Sequence, residues 1–284
     1  MNASEKAAVL AEALPYIRSF SAKVVVVKYG GNAMGGEDDD LDRFAQDVVL
    51  MRSVGMRPVV VHGGGPQIGA VMTSLGKVPE FRHGLRVTDA ETLDIVRMVL
   101  VGKVNREIVS AINVHAPLAV GLSGEDAALI TASARHPDLG FVGDVVKVDP
   151  TILERLLNEE LIPVVATIGL DPAEGQAYNI NADTAAGAIA EALGAEKLVY
   201  LTNIEGLRRD VDDESSLIST ATADELDALI ADGTLTGGII PKIESCIHAV
   251  RNGVGRGHIL DGRMPHALLL EFFTRQGVGT MVTA

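Results

Sequence analysis

The 284-residue chain has no tryptophan, a single cysteine and few aromatic side chains, 4% in all. One cysteine, Cys246, can close no intramolecular disulfide and build no multi-cysteine metal site, so the chain reads as one made for a reducing compartment. Long apolar runs are missing too. The longest, such as Val24-Val25-Val26-Val27, fall far short of the roughly 18–20 residues that span a bilayer. The first residues carry Glu5, Lys6 and Glu12 and show neither a signal-peptide nor an Arg-rich transit profile, which predicts a cytoplasmic protein. Basic residues are scarce: 24 Lys and Arg against 38 Asp and Glu leave a net charge of −14. That balance argues against nucleic acid, whose binding needs clustered cations on phosphates. An anionic ligand would have to be held by local fields instead: helix N-termini, backbone N–H groups and a few placed cations.

What the chain does have is bulk and glycine. Hydrophobic residues make up 47% and charged ones 22%, enough for one large α/β domain or two closely joined lobes. The recurring pattern is strand, glycine turn, helix. Strands are expected at 23–28, 58–61, 162–167, 197–201, 256–260 and 279–283. Helices are expected after Asp40, after Pro66, from Thr88 or Asp89 to Val114, and at 151–160, 183–193, 223–231, 241–251 and 266–273. Short β pieces at 119–122, 129–132 and 143–148 read as an antiparallel patch between parallel units. Alternation of this kind predicts an open, mainly parallel central sheet sandwiched between helices. Residues 1–20 look helical, with Leu10, Leu14 and Ile17 on one side and Pro15 expected to kink or interrupt them. A soft division into lobes falls near 171–176.

Familiar nucleotide signatures are absent. Gly76-Lys77 and Gly102-Lys103 lack the upstream glycine of a phosphate loop and are followed by valine. Gly63–Gly65 does not fit a dinucleotide fingerprint, since Ile68 stands where the third glycine belongs. Other stretches carry the chemistry. Lys28-Tyr29-Gly30-Gly31-Asn32 sets a lysine at the end of a buried strand before two glycines, where backbone N–H groups can approach phosphate oxygens; the plainer alternative is a surface lysine beside a turn. His62-Gly63-Gly64-Gly65-Pro66 repeats the form, an anion cradle or a tight turn, with His62 in a structural role. Arg86, in Gly84-Leu85-Arg86-Val87-Thr88-Asp89, can grip a carboxylate with two bonds or lie in water. Asn179, Asn181 and Asp183 open a helix with more polar side chains than capping needs, and Asp183 could orient nearby lysines. Lys242 follows Pro241 at a helix N-terminus, where a cation is disfavoured, and such breaches of local preference gather at functional sites.

In order, KYGGNAM, VVHGGGPQI, GLRVTD, NINAD, LTNIEGL, GGIIPKI and HILDGRMPHALLLE resemble the acetylglutamate kinases of the amino acid kinase family, along nearly the whole chain. The resemblance implies a phosphotransferase that uses ATP, with Mg2+ carried on the nucleotide, to phosphorylate the side-chain carboxylate of N-acetyl-L-glutamate in arginine biosynthesis. It implies catalytic roles for Lys28, Lys242 and Asp183 and an acetylglutamate site at Gly64, Gly65, Arg86 and Asn179. Gly30, Gly31 and Asn181 would line the phosphates, and Thr202, Asn203, Gly206 and Leu207 would border the nucleotide, with no dedicated protein metal site. Residues 21–175 would form the acetylglutamate lobe and 176–284 the ATP lobe. Residues 1–20 would be a helix that interlaces dimers into a hexamer, a trimer of dimers. His258, Glu271 and Gly277 resemble parts of a site for L-arginine as feedback inhibitor. The rivals are another carboxylate or carbamate kinase of the family, and a non-catalytic arginine-sensing relative.

Overall fold

A computed structural model describes residues 2–30, 39–82, 84–210, 212–275 and 277–284, apart from the side chains of Glu5, Lys6 and Asp39. The strands are β1 Val24–Tyr29, β2 Arg57–His62, β3 Phe81–Arg82, β4 Leu85–Arg86, β5 Ala119–Ser123, β6 Ile130–Ala134 and β7 Val142–Val148. They continue with β8 Ile162–Ala166, β9 Ile168–Asp171, β10 Gln176–Ile180, β11 Lys197–Thr202, β12 Thr220–Thr222, β13 Arg256–Asp261 and β14 Thr280–Thr283. The α-helices are α1 Ala3–Phe20, α2 Asp39–Ser53, α3 Gly65–Ser74, α4 Ala90–Arg97 and α5 Asn105–His115. After them come α6 Thr151–Asn158, α7 Ala182–Ala192, α8 Ala223–Ala231, α9 Ile240–Arg251 and α10 Ala267–Phe273.

Eight strands form the main sheet in the order β12-β14-β13-β11-β1-β2-β8-β5. All neighbours from β13 to β5 pair in parallel; β14 turns against β13, and β12 runs parallel to β14 at the edge. Parallel strands need helical crossovers, and these cover both faces with apolar side chains. Val26, Val59, Leu198 and Tyr200 face α7 and α9 on one side. Val25, Val27, Val60 and Val199 face α2, α5 and α10 on the other. The expected sandwich is the observed one.

Three local expectations need correcting. Residues 119–123 belong to the main sheet, parallel to β8 at its edge, because Ala119–Ser123 follows a helical crossover rather than a hairpin turn. The two other short pieces do pair antiparallel, as β6 and β7, and close with β9 and β10 into a small four-stranded barrel. The long helix from Asp89 is not uniform: α4 and α5 are joined by a π-helical segment, Met98–Val104. Finally, α1 runs unbroken through Pro15. Residues 172–175 are the turn between antiparallel β9 and β10, and Asp171 and Gln176 pair across it.

Candidate active site

Alternation along β1 places Lys28 on the same sheet face as Val26, toward α7 and α9. At the start of α7, Asn181 caps the helix: its Oδ1 accepts from Asp183 N at 2.9 Å and Thr184 N at 3.1 Å. That cap sets Asp183 in the first turn, where a carboxylate suits the helix dipole. Lys242 is the third residue of α9, not the second, because the helix begins at Ile240. It does not point into water. Its Nζ donates to Asp183 Oδ2 at 2.8 Å, while Lys28 Nζ lies 2.9 Å from Asp183 Oδ1.

Two ammonium groups from distant stretches of chain therefore share one carboxylate. The lysine side chains are each 10% exposed and the aspartate 16%. Burial opposes the charged form of Asp183, but Lys28 and Lys242 outweigh it and hold its carboxyl below the usual range. Burial lowers the pKa of Lys242, and the charge of Lys28 adds to the effect against the pull of Asp183. Gly30 makes the arrangement possible: a Cβ there would stand 2.9 Å from Lys28 Nζ and 3.1 Å from the Leu201 carbonyl. Gly31 lies outside the described residues.

The second glycine turn follows β2. His62 is fully buried, and burial pushes its pKa down to about 4, so the ring is neutral. Its Nδ1 lies 3.0 Å from the Gly63 carbonyl and its Nε2 3.0 Å from Asn105 Nδ2, which also donates to the Val164 carbonyl at 2.9 Å. Only one tautomer satisfies both contacts: Nδ1–H donates to Gly63, and Nε2 accepts from Asn105. The structural role expected for His62 is what the contacts show. Gly64 packs so closely on the π-helical segment that a Cβ would meet Leu100 Cδ2 at 2.7 Å, whereas Gly65 faces open space.

Arg86, buried in β4, donates to the Gly65 carbonyl at 2.9 Å and lies 4.7 Å above the Phe81 ring. Asn179, in β10, reaches Thr88 Oγ1 at 3.4 Å. Gly63–Gly65, Arg86, Asn179 and Asn181 line one cavity of about 190 Å³. Ala182, the residue before Asp183, is part of its lining, so the cavity and the lysine cluster share the start of α7.

Among the residues expected to border a nucleotide the placements divide. Thr202 and Asn203 lie at the C-terminal end of β11, beside that of β1, where open α/β sheets take ligands. Gly206 and Leu207 face the interior instead. Leu207 is 2% exposed, and a Cβ on Gly206 would meet Leu217 at 2.8 Å. Among the described residues no group of three or more His, Cys, Asp or Glu is placed to hold a metal ion.

His258, Glu271 and Gly277 do come together. Glu271 Oε1 lies 2.9 Å from His258 Nδ1 and 3.1 Å from Lys197 Nζ, and Oε2 accepts from Val278 N at 3.2 Å. A Cβ on Gly277 would sit 3.0 Å from Oε2. Lys197 escaped attention in the sequence because it opens an apolar strand. Its Nζ also lies 4.9 Å from the Phe20 ring of α1 and 4.8 Å from Phe272. Tyr16, Phe20, Lys197, Glu271 and Gly277 line a cavity of about 560 Å³.

The amino acid kinase family model matches residues 23–261. An acetylglutamate kinase from Symbiobacterium thermophilum is 57% identical, over 99% of this chain and 98% of that relative. One from Saccharopolyspora erythraea is also 57% identical, over 99% and 94%. N-acetylglutamate synthase from Neisseria gonorrhoeae, solved with coenzyme A and N-acetyl-glutamate, superposes with a TM-score of 0.85 at 29% identity; the match covers 98% of this chain but 63% of the synthase. Carbamate kinase from Giardia lamblia bound to AMP-PNP shares the fold, at a TM-score of 0.67 and 17% identity over 93% of this chain and 99% of that one.

Proposed function

The chain belongs to the amino acid kinase family, and we propose that it transfers the γ-phosphoryl group of ATP to the side-chain carboxylate of N-acetyl-L-glutamate, a step of arginine biosynthesis. The observation that carries this reading is the convergence of Lys28 and Lys242 on Asp183, next to a glycine-lined cavity.

The chemistry fits what the residues offer. A glutamate side chain, with an ordinary pKa of about 4.3, is already ionised at neutral pH and needs no general base. Its difficulty is meeting another anion: two unit charges ~4 Å apart repel by about 4 kcal/mol at an effective dielectric near 20. Phosphoryl transfer asks chiefly for positioning and charge neutralisation. Lys28 and Lys242 supply two positive charges, of which Asp183 takes up one while fixing where both sit. Gly64 and Gly65 offer backbone to the substrate, Arg86 a planar pair of donors for a carboxylate, and Asn179 its amide. Gly30, Gly31, Asn181, Thr202 and Asn203 border ATP, which enters as its magnesium complex; Gly206 and Leu207 shape that border from behind. Residues 21–175 would carry acetylglutamate and 176–284 ATP, with Asn179 reaching back toward Thr88.

Regulation by L-arginine at His258, Glu271 and Gly277, and assembly through residues 1–20 into a hexamer built as a trimer of dimers, in the cytoplasm, complete the reading. Support comes from the buried carboxylate against the 560 Å³ cavity, a sound partner for a guanidinium, and from Val9, Leu10 and Leu14, which α1 leaves exposed.

The test is ADP release assayed with acetylglutamate, glutamate, aspartate and carbamate, each with and without arginine. Acetylglutamate should be preferred by orders of magnitude. Equal or greater turnover with another acceptor would replace the substrate, and no turnover with any would end the kinase reading.

A further inference from the structure

Beneath the lysine cluster lies a residue that reads in the sequence as ordinary core. Tyr200 stands opposite Lys28 in the β1–β11 register, so both side chains leave the sheet on the face covered by α7 and α9. Tyr200 is wholly buried. Lys242 Nζ lies 5.3 Å from the centroid of its ring. The Tyr200 hydroxyl is 2.9 Å from Ser245 Oγ and 3.3 Å from the Asp183 carbonyl, to which Ser245 Oγ donates at 2.9 Å. With one proton per hydroxyl, the two shorter contacts form a chain, in which Tyr200 donates to Ser245 and Ser245 donates to the Asp183 carbonyl; the longer contact from Tyr200 reaches that same carbonyl directly. Ser245 is three residues beyond Lys242 on α9, and Gly187 of α7 lets it approach: a Cβ there would stand 2.9 Å from Ser245 Oγ.

We propose that Tyr200 is a positioning residue for phosphoryl transfer: its ring seats the Lys242 ammonium, and its hydroxyl, through Ser245, fixes the Asp183 backbone so that one carboxylate meets both lysines. The inference deepens the kinase reading and rests on Lys242 facing the transferring phosphoryl group. Lys242 needs such help. It sits at a helix N-terminus, which disfavours a cation, and is nearly dry. A lysine has four rotatable bonds, and a single contact to Asp183 leaves much of that freedom. The electron-rich face of an aromatic ring attracts the ammonium where an aliphatic side chain of equal bulk would not. Burial pushes the Tyr200 phenol well above its ordinary range, so it stays neutral and adds no charge to the cluster.

The experiment grades the ring's electrostatics at constant shape. Tyr200 is replaced by Phe, 4-fluoro-Phe and 3,4,5-trifluoro-Phe, with Tyr200→Leu, Ser245→Ala and Lys242→Ala alongside, and kcat, both KM values and Tm are measured. Losing the hydroxyl in Tyr200→Phe should lower kcat about 5-fold. Fluorination should lower it stepwise by about a further 10-fold at the trifluoro variant, with KM for acetylglutamate and Tm steady across the three phenylalanines. Ser245→Ala should match Tyr200→Phe, and Tyr200→Leu should match the trifluoro variant. A flat kcat across the phenylalanine series, with Lys242→Ala inactive, overturns the positioning role while leaving the kinase reading in place. Normal turnover by Lys242→Ala overturns both.

Discussion

Two buried carboxylates in this molecule have nearly the same surroundings and different net charges. Asp183 is held between two lysines, and Glu271 between a lysine and a histidine. Burial opposes the charge of each, and in each the neighbouring nitrogens prevail, bringing Glu271 down to about 2. The histidine makes the difference. Burial lowers the pKa of His258, so at neutral pH it offers an N–H and no charge. Glu271 and Lys197 then cancel, whereas the Asp183 group keeps one positive charge to spare. The first arrangement can neutralise an incoming anion; the second is already balanced and suits a ligand that brings charges of both signs. Counting acidic and basic residues over the whole chain would miss this, because the surplus is local.

That contrast can be broken or sharpened by substitution. The largest effect is expected for Asp183→Asn, which removes the group that gathers both lysines: kcat should fall about 1000-fold, a loss of ~4 kcal/mol in transition-state binding. Steady-state turnover near wild type would show that the lysines find their places without it. Glu271→Gln should leave kcat alone but cost about 3 kcal/mol of stability, since Lys197 is left buried without its counter-charge. It should also abolish inhibition by arginine. Denaturant melts and an arginine titration check the pair of outcomes, and a variant as stable and as inhibited as wild type removes the assignment.

Acid should act on a third buried group. His62, at about 4 in the fold and 6.5 unfolded, binds its proton more readily in the unfolded chain. Stability therefore falls as pH drops from 6.5 toward 4, by up to about 3 kcal/mol. Asp47, which burial raises from 3.8 to about 6, works the other way over part of that range. The measurement is thus a comparison of urea unfolding in wild type and His62→Gln, in which the variant should show a flatter acid limb. Parallel limbs would mean that His62 is not held neutral. The smallest effect belongs to Arg86→Lys, which exchanges a planar fork for a point charge: KM for acetylglutamate should rise about 30-fold, ~2 kcal/mol, with kcat little changed.

The sequence displayed the reactive groups better than their supports. Lys28 and Lys242 stood out because each violates a local preference, one closing an apolar strand and the other entering a helix. The adjoining glycines marked where backbone must come close. Asn105 and Tyr200 gave no such signal. A tyrosine in Lys197–Thr202 looks like any strand aromatic, and only the register with β1 and the packing of α9 reveal its partner. The π-helical turn at Met98–Val104 was hidden for a related reason: its close packing on Gly64 is a tertiary contact that no local pattern announces. Likewise, the apolar residues of β5 were legible as a strand, but which sheet they join depends on the crossover through α5.

The two carboxylate groups can be set against each other in one assay. Turnover of ATP with acetylglutamate would be measured for Lys242→Ala and Lys197→Ala side by side, with melts to confirm that both variants fold. The surplus-charge account predicts a fall of about 1000-fold in kcat for Lys242→Ala and a value within about 3-fold of wild type for Lys197→Ala. A folded Lys242→Ala enzyme that turns over normally, or a Lys197→Ala enzyme equally dead, would contradict it.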